Sequence, residues 1–164
     1  LRLLSRHIVT AVEDGHNLEA RQAMLHGAML AGQAFANAPV AAVHALAYPL
    51  GGHYHISHGL SNSLVLPHVL HFNLPAAYSS YAQLANVINP YARAKPMTLA
   101  EYFIEAMQTL IHAVNLPRQL RALNIPEQDL PMLAKDALLQ QRLLINNPRE
   151  LTEADALAIY QAAY

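Results

Sequence analysis

The stretch HALAYPLGGHYHISH, residues 44–58, lies in a run of 71 residues, 22–92, that contains no Asp, Glu, Lys or Arg. Seven of the ten histidines of the chain fall inside this run. An ordinary surface would carry lysine and glutamate beside them, and a fully apolar core would exclude them. Because neutral imidazole is a common metal ligand, the run predicts a buried interior with a polar site that could bind a metal.

Composition predicts one domain with a sizeable core that is partly covered by another domain or subunit, and we expect a homo-oligomer. The chain has 164 residues, of which 54% are hydrophobic and only 13% charged, about half the usual charged share. A net charge of −1 gives no basic field for nucleic acid and no polybasic segment for a membrane. The absence of cysteine excludes a thiolate metal site and is consistent with a reducing cytoplasm.

The N-terminal sequence predicts neither a signal peptide nor a membrane anchor. Charged residues interrupt it, and the apolar run at 24–35 is shorter than the roughly 20 residues that a membrane span needs. The chain lacks an initiator Met and begins within a helical pattern, so we expect a further segment upstream.

Helical periodicity predicts an all-α chain of about eight helices. Residues 1–13 are amphipathic, and Asp14-Gly15 is predicted to end that helix. Asn17 is a good N-cap for a helix over 18–37, which is apolar nearly all round. Such a helix is expected to be buried on all sides, so it is predicted to be the central helix.

Prolines and glycines predict where the next helices begin and end. Pro39 suits the start of the helix that carries His44, which Pro49 and Gly51-Gly52 disturb or end. Ser57 is predicted to cap a helix over 58–72.

Later boundaries follow the same signals. Pro67 is predicted to kink or break the helix over 58–72, and Pro75 to open a separate helix to about residue 86. Thr98 is predicted to cap a helix that ends near residue 114, and Thr152 to begin the last helix. Residues 127–129 and 135–136 are predicted to be solvated surface.

His44 and His58 form the predicted half of a metal site. The Gly-Gly turn between them can bring their rings together, and a divalent metal needs several nitrogen or oxygen ligands. The uncharged run contains no carboxylate, so the remaining ligands must come from elsewhere in the chain or from an upstream segment. Ordinary structural histidines would fit the same spacing.

Other polar residues of the run allow a functional or a structural role. Tyr48 shares a helix face with His44 and could bind a substrate or simply expose its hydroxyl. His53 and His55 flank the turn and could line a pocket. His26 is predicted to be a satisfied core histidine, and two others are predicted to be structural or exposed: His68 and His71. The chain has no glycine-rich phosphate motif, so it shows no nucleotide site of its own.

Residues 18–73, LEARQAMLHGAMLAGQAFANAPVAAVHALAYPLGGHYHISHGLSNSLVLPHVLHFN, closely resemble the iron-containing (group III) alcohol dehydrogenase family. The matching pieces are an LEAR…AG-AF-NA helix, a VHALAHPLGG segment, a PHG-x-x-N turn and an LLPHV helix. The ending NNPRELTEADALAIYQAAY, residues 146–164, is also similar to that of the family. The resemblance runs over essentially the whole chain.

The resemblance implies the all-helical C-terminal domain of the dehydroquinate synthase-like fold. It covers only the latter part of that domain. Residues 1–164 are therefore expected to be a helical metal-binding domain fragment, without the N-terminal nucleotide-binding α/β domain and the first helix of the helical domain. The family active site lies in the cleft between the two domains.

The resemblance also implies roles for individual residues. Family members hold iron, or sometimes zinc, with one Asp and three His, and two of these histidines match His44 and His58. The Asp and the other His belong to a preceding helix that this chain lacks. A family histidine of the catalytic pocket is replaced here by Tyr48, and the usual Pro before the His-Gly pair is Ser57.

The implied reaction is hydride transfer between an alcohol, or an aldehyde or ketone, and NAD or NADP, which would be bound mainly by the missing domain. In that reaction the metal is a Lewis acid on the substrate oxygen. Tyr48 would hydrogen-bond near the substrate, although a phenol is a poorer base than imidazole at neutral pH.

Two other hypotheses remain open from sequence: a non-catalytic helical fragment, and a stand-alone metal-binding or hydrolase module. The module requires a carboxylate of this chain beside His44 and His58, for which there are four candidates: Glu101, Glu105, Asp136 and Asp155.

Overall fold

Helices make up all the regular structure of the computed structural model, which describes residues 1–164. Eight α-helices and no strand are present, as predicted. Two short 3₁₀ turns lie between the fifth and sixth helices, at Leu120–Leu123 and Glu127–Asp129. The helices are α1 (Arg2–Glu13), α2 (Leu18–Asn37), α3 (Ala42–Tyr54), α4 (His58–Ile88), α5 (Pro96–Ala113), α6 (Leu130–Ala137), α7 (Gln141–Leu144) and α8 (Glu153–Ala162).

The chain folds into two compact units. The first comprises Leu1–Pro39 and Ala77–Asn115, and the second comprises Val40–Ala76 and Leu116–Tyr164. Helix α4 contributes its first part to the second unit and its last part to the first. His44, Tyr48 and His58 all belong to the second unit.

In the first unit, α1 packs against one face of α2. The helices approach closely at Gly27, where a Cβ atom would come within 2.6 Å of the Leu4 side chain. Further along the same unit, the rings of Tyr81 and Phe103 lie 5.5 Å apart, between α4 and α5. None of the helices of the chain combines the length and hydrophobicity that crossing a bilayer requires.

The prediction that α2 is a buried central helix is wrong for this chain. Only Ala20 and Gly27 are buried, on the face that meets α1. Leu18, Leu25 and Met29 on the opposite face are 78%, 75% and 52% exposed. The hydrophobicity of a helix predicts that other segments pack around it, but it does not identify those segments. His26 is also exposed, so it is not the core histidine that its apolar neighbours suggested.

The second unit contains the largest hydrophobic core of the molecule. Side chains from α3, α4, α6 and α8 meet there, and the largest of them are fully buried: Leu46, Leu50, Leu64, Val65, Val69, Leu133 and Tyr160. The Tyr160 hydroxyl donates a 2.6 Å hydrogen bond to the carbonyl oxygen of Leu46. This bond joins α8 to α3 at a residue two positions after His44.

Three predicted helix breaks are absent. Helix α3 continues through Pro49 and the two following glycines to Tyr54. Helix α4 continues through Pro67 and Pro75 as one element of 31 residues. Each internal proline costs a backbone hydrogen bond, but Pro49 and Pro67 lie among buried residues whose packing offsets that loss.

Boundaries set by polar caps are confirmed at two helices and wrong at others. The Asn17 side chain accepts a hydrogen bond from the Ala20 backbone, and Thr152 forms a capping box with Asp155. Helix α5 begins at Pro96 instead of after Thr98, because proline is well suited to the first turn of a helix. Helix α3 begins at Ala42, three residues later than Pro39 suggested.

Candidate functional site

Helices α3 and α4 bring His44 and His58 into contact. His44 lies in the first turn of α3, and His58 is the first residue of α4. His44 Nδ1 and His58 Nε2 are 3.1 Å apart, and the ring centroids are separated by 4.9 Å. His44 is half-buried, whereas His58 is exposed. The pair therefore lies at the edge of the second unit, with one ring set against its interior.

A tight turn makes this contact possible. Helix α3 ends at Tyr54, and His55 adopts a left-handed conformation with φ 55°. The His55 backbone N–H donates to the carbonyl oxygen of Gly51 at 3.1 Å, which closes the end of the helix. Three residues later α4 begins, so the chain reverses quickly enough to return His58 to the ring of His44.

The donor atoms of the pair fit two positions of a metal site. Two imidazole nitrogens bound to one tetrahedral metal at 2.0–2.1 Å lie roughly 3.3 Å apart. This is close to the 3.1 Å between His44 Nδ1 and His58 Nε2. Burial and the neighbouring His58 ring lower the pKa of His44 below its ordinary value of 6.5. His44 therefore stays neutral at neutral pH, which is the form that binds a metal.

This chain does not complete a metal site around the pair. No group of three or more His, Cys, Asp or Glu side chains is placed to hold a metal ion. Asp136 contacts His53 instead, and Asp155 bonds Thr152 in the capping box. The requirement of the stand-alone metal-module hypothesis is therefore not met.

Tyr48 lies next to the histidine pair. It is one turn beyond His44 on α3 and half-buried. Its ring centroid is 5.8 Å from that of His58, and the two planes are tilted by 38°. The three predicted site residues thus form one cluster of two imidazoles and a phenol.

Asn62 is a fourth polar residue of the cluster that sequence reasoning missed. Its side-chain nitrogen donates to the carbonyl oxygen of His58 at 2.9 Å and lies 3.1 Å from His58 Nε2. The signal was its position four residues after His58, which places both on one face of α4. The side-chain oxygen of Asn62 is buried and has no hydrogen-bond partner.

Two carboxylate contacts at the end of α3 were also missed. The Tyr54 hydroxyl donates to Asp129 at 2.5 Å, and His53 contacts Asp136 at 2.6 Å. Both aspartates were predicted to be solvated surface, and both are only partly exposed. Burial and the hydrogen bond to Asp129 raise the pKa of Tyr54 to about 12.

The remaining histidines lie outside this cluster of contacts. His68 is half-buried, and burial followed by the nearby His71 lowers its pKa. His71 is exposed, and the two histidines border a shallow surface pocket with Phe72 and Ile159. His55 is exposed at the turn and makes no side-chain hydrogen bond to the pair.

Comparison with known proteins places these features in a family context. The model of the Fe-containing alcohol dehydrogenase family, C-terminal, matches residues 1–164. Long-chain-alcohol dehydrogenase 1 of Geobacillus thermodenitrificans is 42% identical over 100% of this chain and 42% of its own length. The 1,3-propanediol dehydrogenase of Klebsiella pneumoniae is 36% identical over the same shares.

A solved structure shows the same fold. The crystal structure of a 1,3-propanediol oxidoreductase superposes with a TM-score of 0.93 and 37% sequence identity, over 99% of this chain and 43% of that one. The chain therefore spans about two fifths of the length of the relatives it matches.

Proposed function

The chain belongs to the Fe-containing alcohol dehydrogenase family, and from this premise we propose that it is the helical metal-binding part of a dehydrogenase. The enzyme would transfer hydride between an alcohol, or an aldehyde or ketone, and NAD or NADP. The contact between His44 and His58 is the observation that carries the proposal, because the ring nitrogens have a spacing suited to two ligands of one metal.

His44 and His58 would hold the metal, which we propose to be iron. When bound, iron would supply Lewis-acid polarisation of the substrate oxygen. The polypeptide sets up this chemistry in two ways. It keeps His44 neutral by burying it, and it leaves the His58 side chain exposed at the start of α4, where the remaining ligands would approach.

Tyr48 would orient the substrate beside these two histidines. Its phenol lies within ring-contact distance of His58 and is half-buried. A phenol can both donate and accept a hydrogen bond, so Tyr48 can hold an alcohol or carbonyl oxygen in place. In this role it substitutes for the imidazole that the family resemblance predicts at the position.

The rest of the site would come from an N-terminal nucleotide-binding domain and a preceding helix outside these 164 residues. Three observations support this partner. The relatives are more than twice as long as the matched region. No third ligand of this chain joins the histidine pair. Helix α2 exposes large apolar side chains that a partner would cover: Leu18, Leu25, Met29, Leu30 and Phe35.

The test uses the protein expressed from the complete gene, loaded anaerobically with Fe²⁺. Formation of NADH or NADPH is followed with primary alcohols and diols as substrates. We expect activity that depends on iron, and we expect His58→Ala to lose both the iron and the activity. The control is His71→Ala, which removes an exposed imidazole from the same helix and should keep both. An active His58→Ala variant that retains its iron would refute the proposal.

Tyr48 has a separate test in the same protein. Tyr48→Phe removes only the hydroxyl, so it should lower kcat with little change in iron content. A hydrogen bond to a charged oxygen contributes about 1.5–3 kcal/mol, which corresponds to roughly 10- to 100-fold in rate. An unchanged rate and pH–rate profile would remove Tyr48 from the mechanism.

A further inference from the structure

We propose that two side-chain pairs, Tyr54–Asp129 and His53–Asp136, are positioning residues that hold His58 against His44. We call these two pairs the α3 clasp. The inference rests on the proposed function, because it concerns the same histidine pair. It assigns a role to four residues outside the cluster of His44, His58 and Tyr48.

Both pairs of the α3 clasp join the end of α3 to one neighbouring helix, α6. Asp129 immediately precedes α6, and Asp136 lies in its last turn. The two are about two helical turns apart and therefore share a face of α6. The hydroxyl of Tyr54 bonds the first carboxylate at 2.5 Å, and His53 contacts the second at 2.6 Å.

Helix α6 is held in place by the hydrophobic core. One face of α6 is buried in the core of the second unit, including Leu130 and Leu133. Leu46 and Leu50 of α3 enter the same core. The clasp thus adds polar contacts at the rim of an interface whose centre is apolar, and it fixes the end of α3 relative to α6.

The last turns of α3 need such an anchor because their sequence is poorly suited to a helix. Pro49 removes one backbone hydrogen bond. Gly51 and Gly52 follow, and glycine within a helix is unfavourable because it loses much conformational freedom on folding. The residues that follow these glycines directly are His53 and Tyr54, which carry the clasp.

The position of His58 depends on this helix end. Only residues 55–57 separate Tyr54 from α4. His55 caps α3 through its backbone bond to Gly51, so movement of the last turn would carry the whole connection with it. His44 lies in the first turn of the same helix. Release of the clasp would therefore change the 3.1 Å spacing of the two rings.

The expected consequence is weaker metal binding without loss of the fold. Residues that orient metal ligands typically contribute 10- to 100-fold to metal affinity. The clasp acts through the backbone, so we expect the lower end of this range. Tyr54→Phe and Asp129→Ala should each weaken Fe²⁺ binding roughly ten-fold. The double variant should lose little more than either single variant, since both break one hydrogen bond.

The experiment uses the protein expressed from the complete gene, stripped of metal. Fe²⁺ affinity is measured anaerobically by competition with a chromophoric chelator, and thermal unfolding of the metal-free protein is recorded beside it. Tyr54→Phe keeps the aromatic ring that packs against the core, so it is the mildest variant. Asp136→Ala removes the second pair independently and should weaken Fe²⁺ binding by roughly the same factor.

The matched control is Thr152→Ala, which removes the capping box at the start of α8 in the same unit. It should lower the unfolding temperature and leave Fe²⁺ affinity unchanged. A merely structural clasp would behave like this control, with lower stability and intact affinity, and that result would overturn the inference.

The two proposals can fail separately. If the unmodified protein binds no Fe²⁺, or if His58→Ala binds it normally, the proposed function and the clasp both fail. If His58→Ala abolishes binding while the clasp variants bind like the unmodified protein, the proposed function stands and the clasp alone is refuted.

Discussion

Replacing Tyr160 with Phe tests how the helix that carries His44 is held in place. Tyr160 has no exposed surface, and its hydroxyl donates a 2.6 Å hydrogen bond to the carbonyl oxygen of Leu46 on α3. Burial, with a smaller effect of Asp136, raises the pKa of this hydroxyl, so it remains a donor throughout the neutral range. Tyr160→Phe removes the donor and keeps the ring.

The size of the effect follows from what the substitution leaves behind. Removing a typical buried hydrogen bond costs about 0.5–1.5 kcal/mol. The Leu46 carbonyl lies inside α3, where a helical partner is available, so no added penalty for an orphaned acceptor is expected. We therefore expect a loss of about 1 kcal/mol, or about 2–4 °C in Tm for a chain of this size.

The assay is urea unfolding of the 164-residue chain, followed by far-UV circular dichroism. Tyr91→Phe is the control, because Tyr91 is 86% exposed and should change the free energy of unfolding by less than about 0.5 kcal/mol. Equal stabilities for Tyr160→Phe and Tyr91→Phe would show that the α8–α3 bond does not support the site.

Further predictions concern pH, helix capping and the uncovered face of α2. The pKa of His68 is lowered in the folded chain, so the unfolded chain takes up a proton first as the pH falls. The contribution of His68 to the free energy of unfolding should therefore be fully present above pH 6.5 and decrease below it. His68→Gln should reduce this pH dependence in urea titrations at a series of pH values. Asp155→Ala should cost roughly 1 kcal/mol at neutral pH, because it breaks the capping box. The cost should be smaller in acid, where the carboxylate is protonated, since the pKa of Asp155 lies below its ordinary 3.8; equal costs in calorimetry at neutral and acid pH would contradict this. Leu25→Gln should change the stability of the 164-residue chain by less than about 0.5 kcal/mol, but it should destabilise the protein from the complete gene. Equally small effects in both proteins would argue against a partner that covers α2.

Local signals predicted the parts of the fold that depend on neighbouring residues. Asn17 and Thr152 cap their helices because a short polar side chain can satisfy backbone N–H groups a few residues away. The uncharged run likewise identified the helices that carry His44 and His58. The helix break predicted at Pro67 is absent, because the buried packing around this proline offsets the cost of one lost hydrogen bond.

Contacts between residues far apart in the sequence could not be predicted from residue spacing. His53 and Asp136 are 83 residues apart in sequence, and neither residue type indicates which residue it will contact. The exposure of α2 depends on which segments are present to cover it, and that is not a property of the helix itself. The family resemblance predicts that the remaining ligands lie outside these residues, whereas geometry was needed to find Asn62 and the α3 clasp.

The central claim is that His44 and His58 supply two ligands of an iron site whose other ligands lie outside these 164 residues. Anaerobic Fe²⁺ titration of the 164-residue chain and of the protein from the complete gene, side by side, tests it most directly. The account predicts weak or no binding by the chain alone, and stoichiometric binding by the complete protein that is lost in His58→Ala. Tight stoichiometric binding by the chain alone would contradict it.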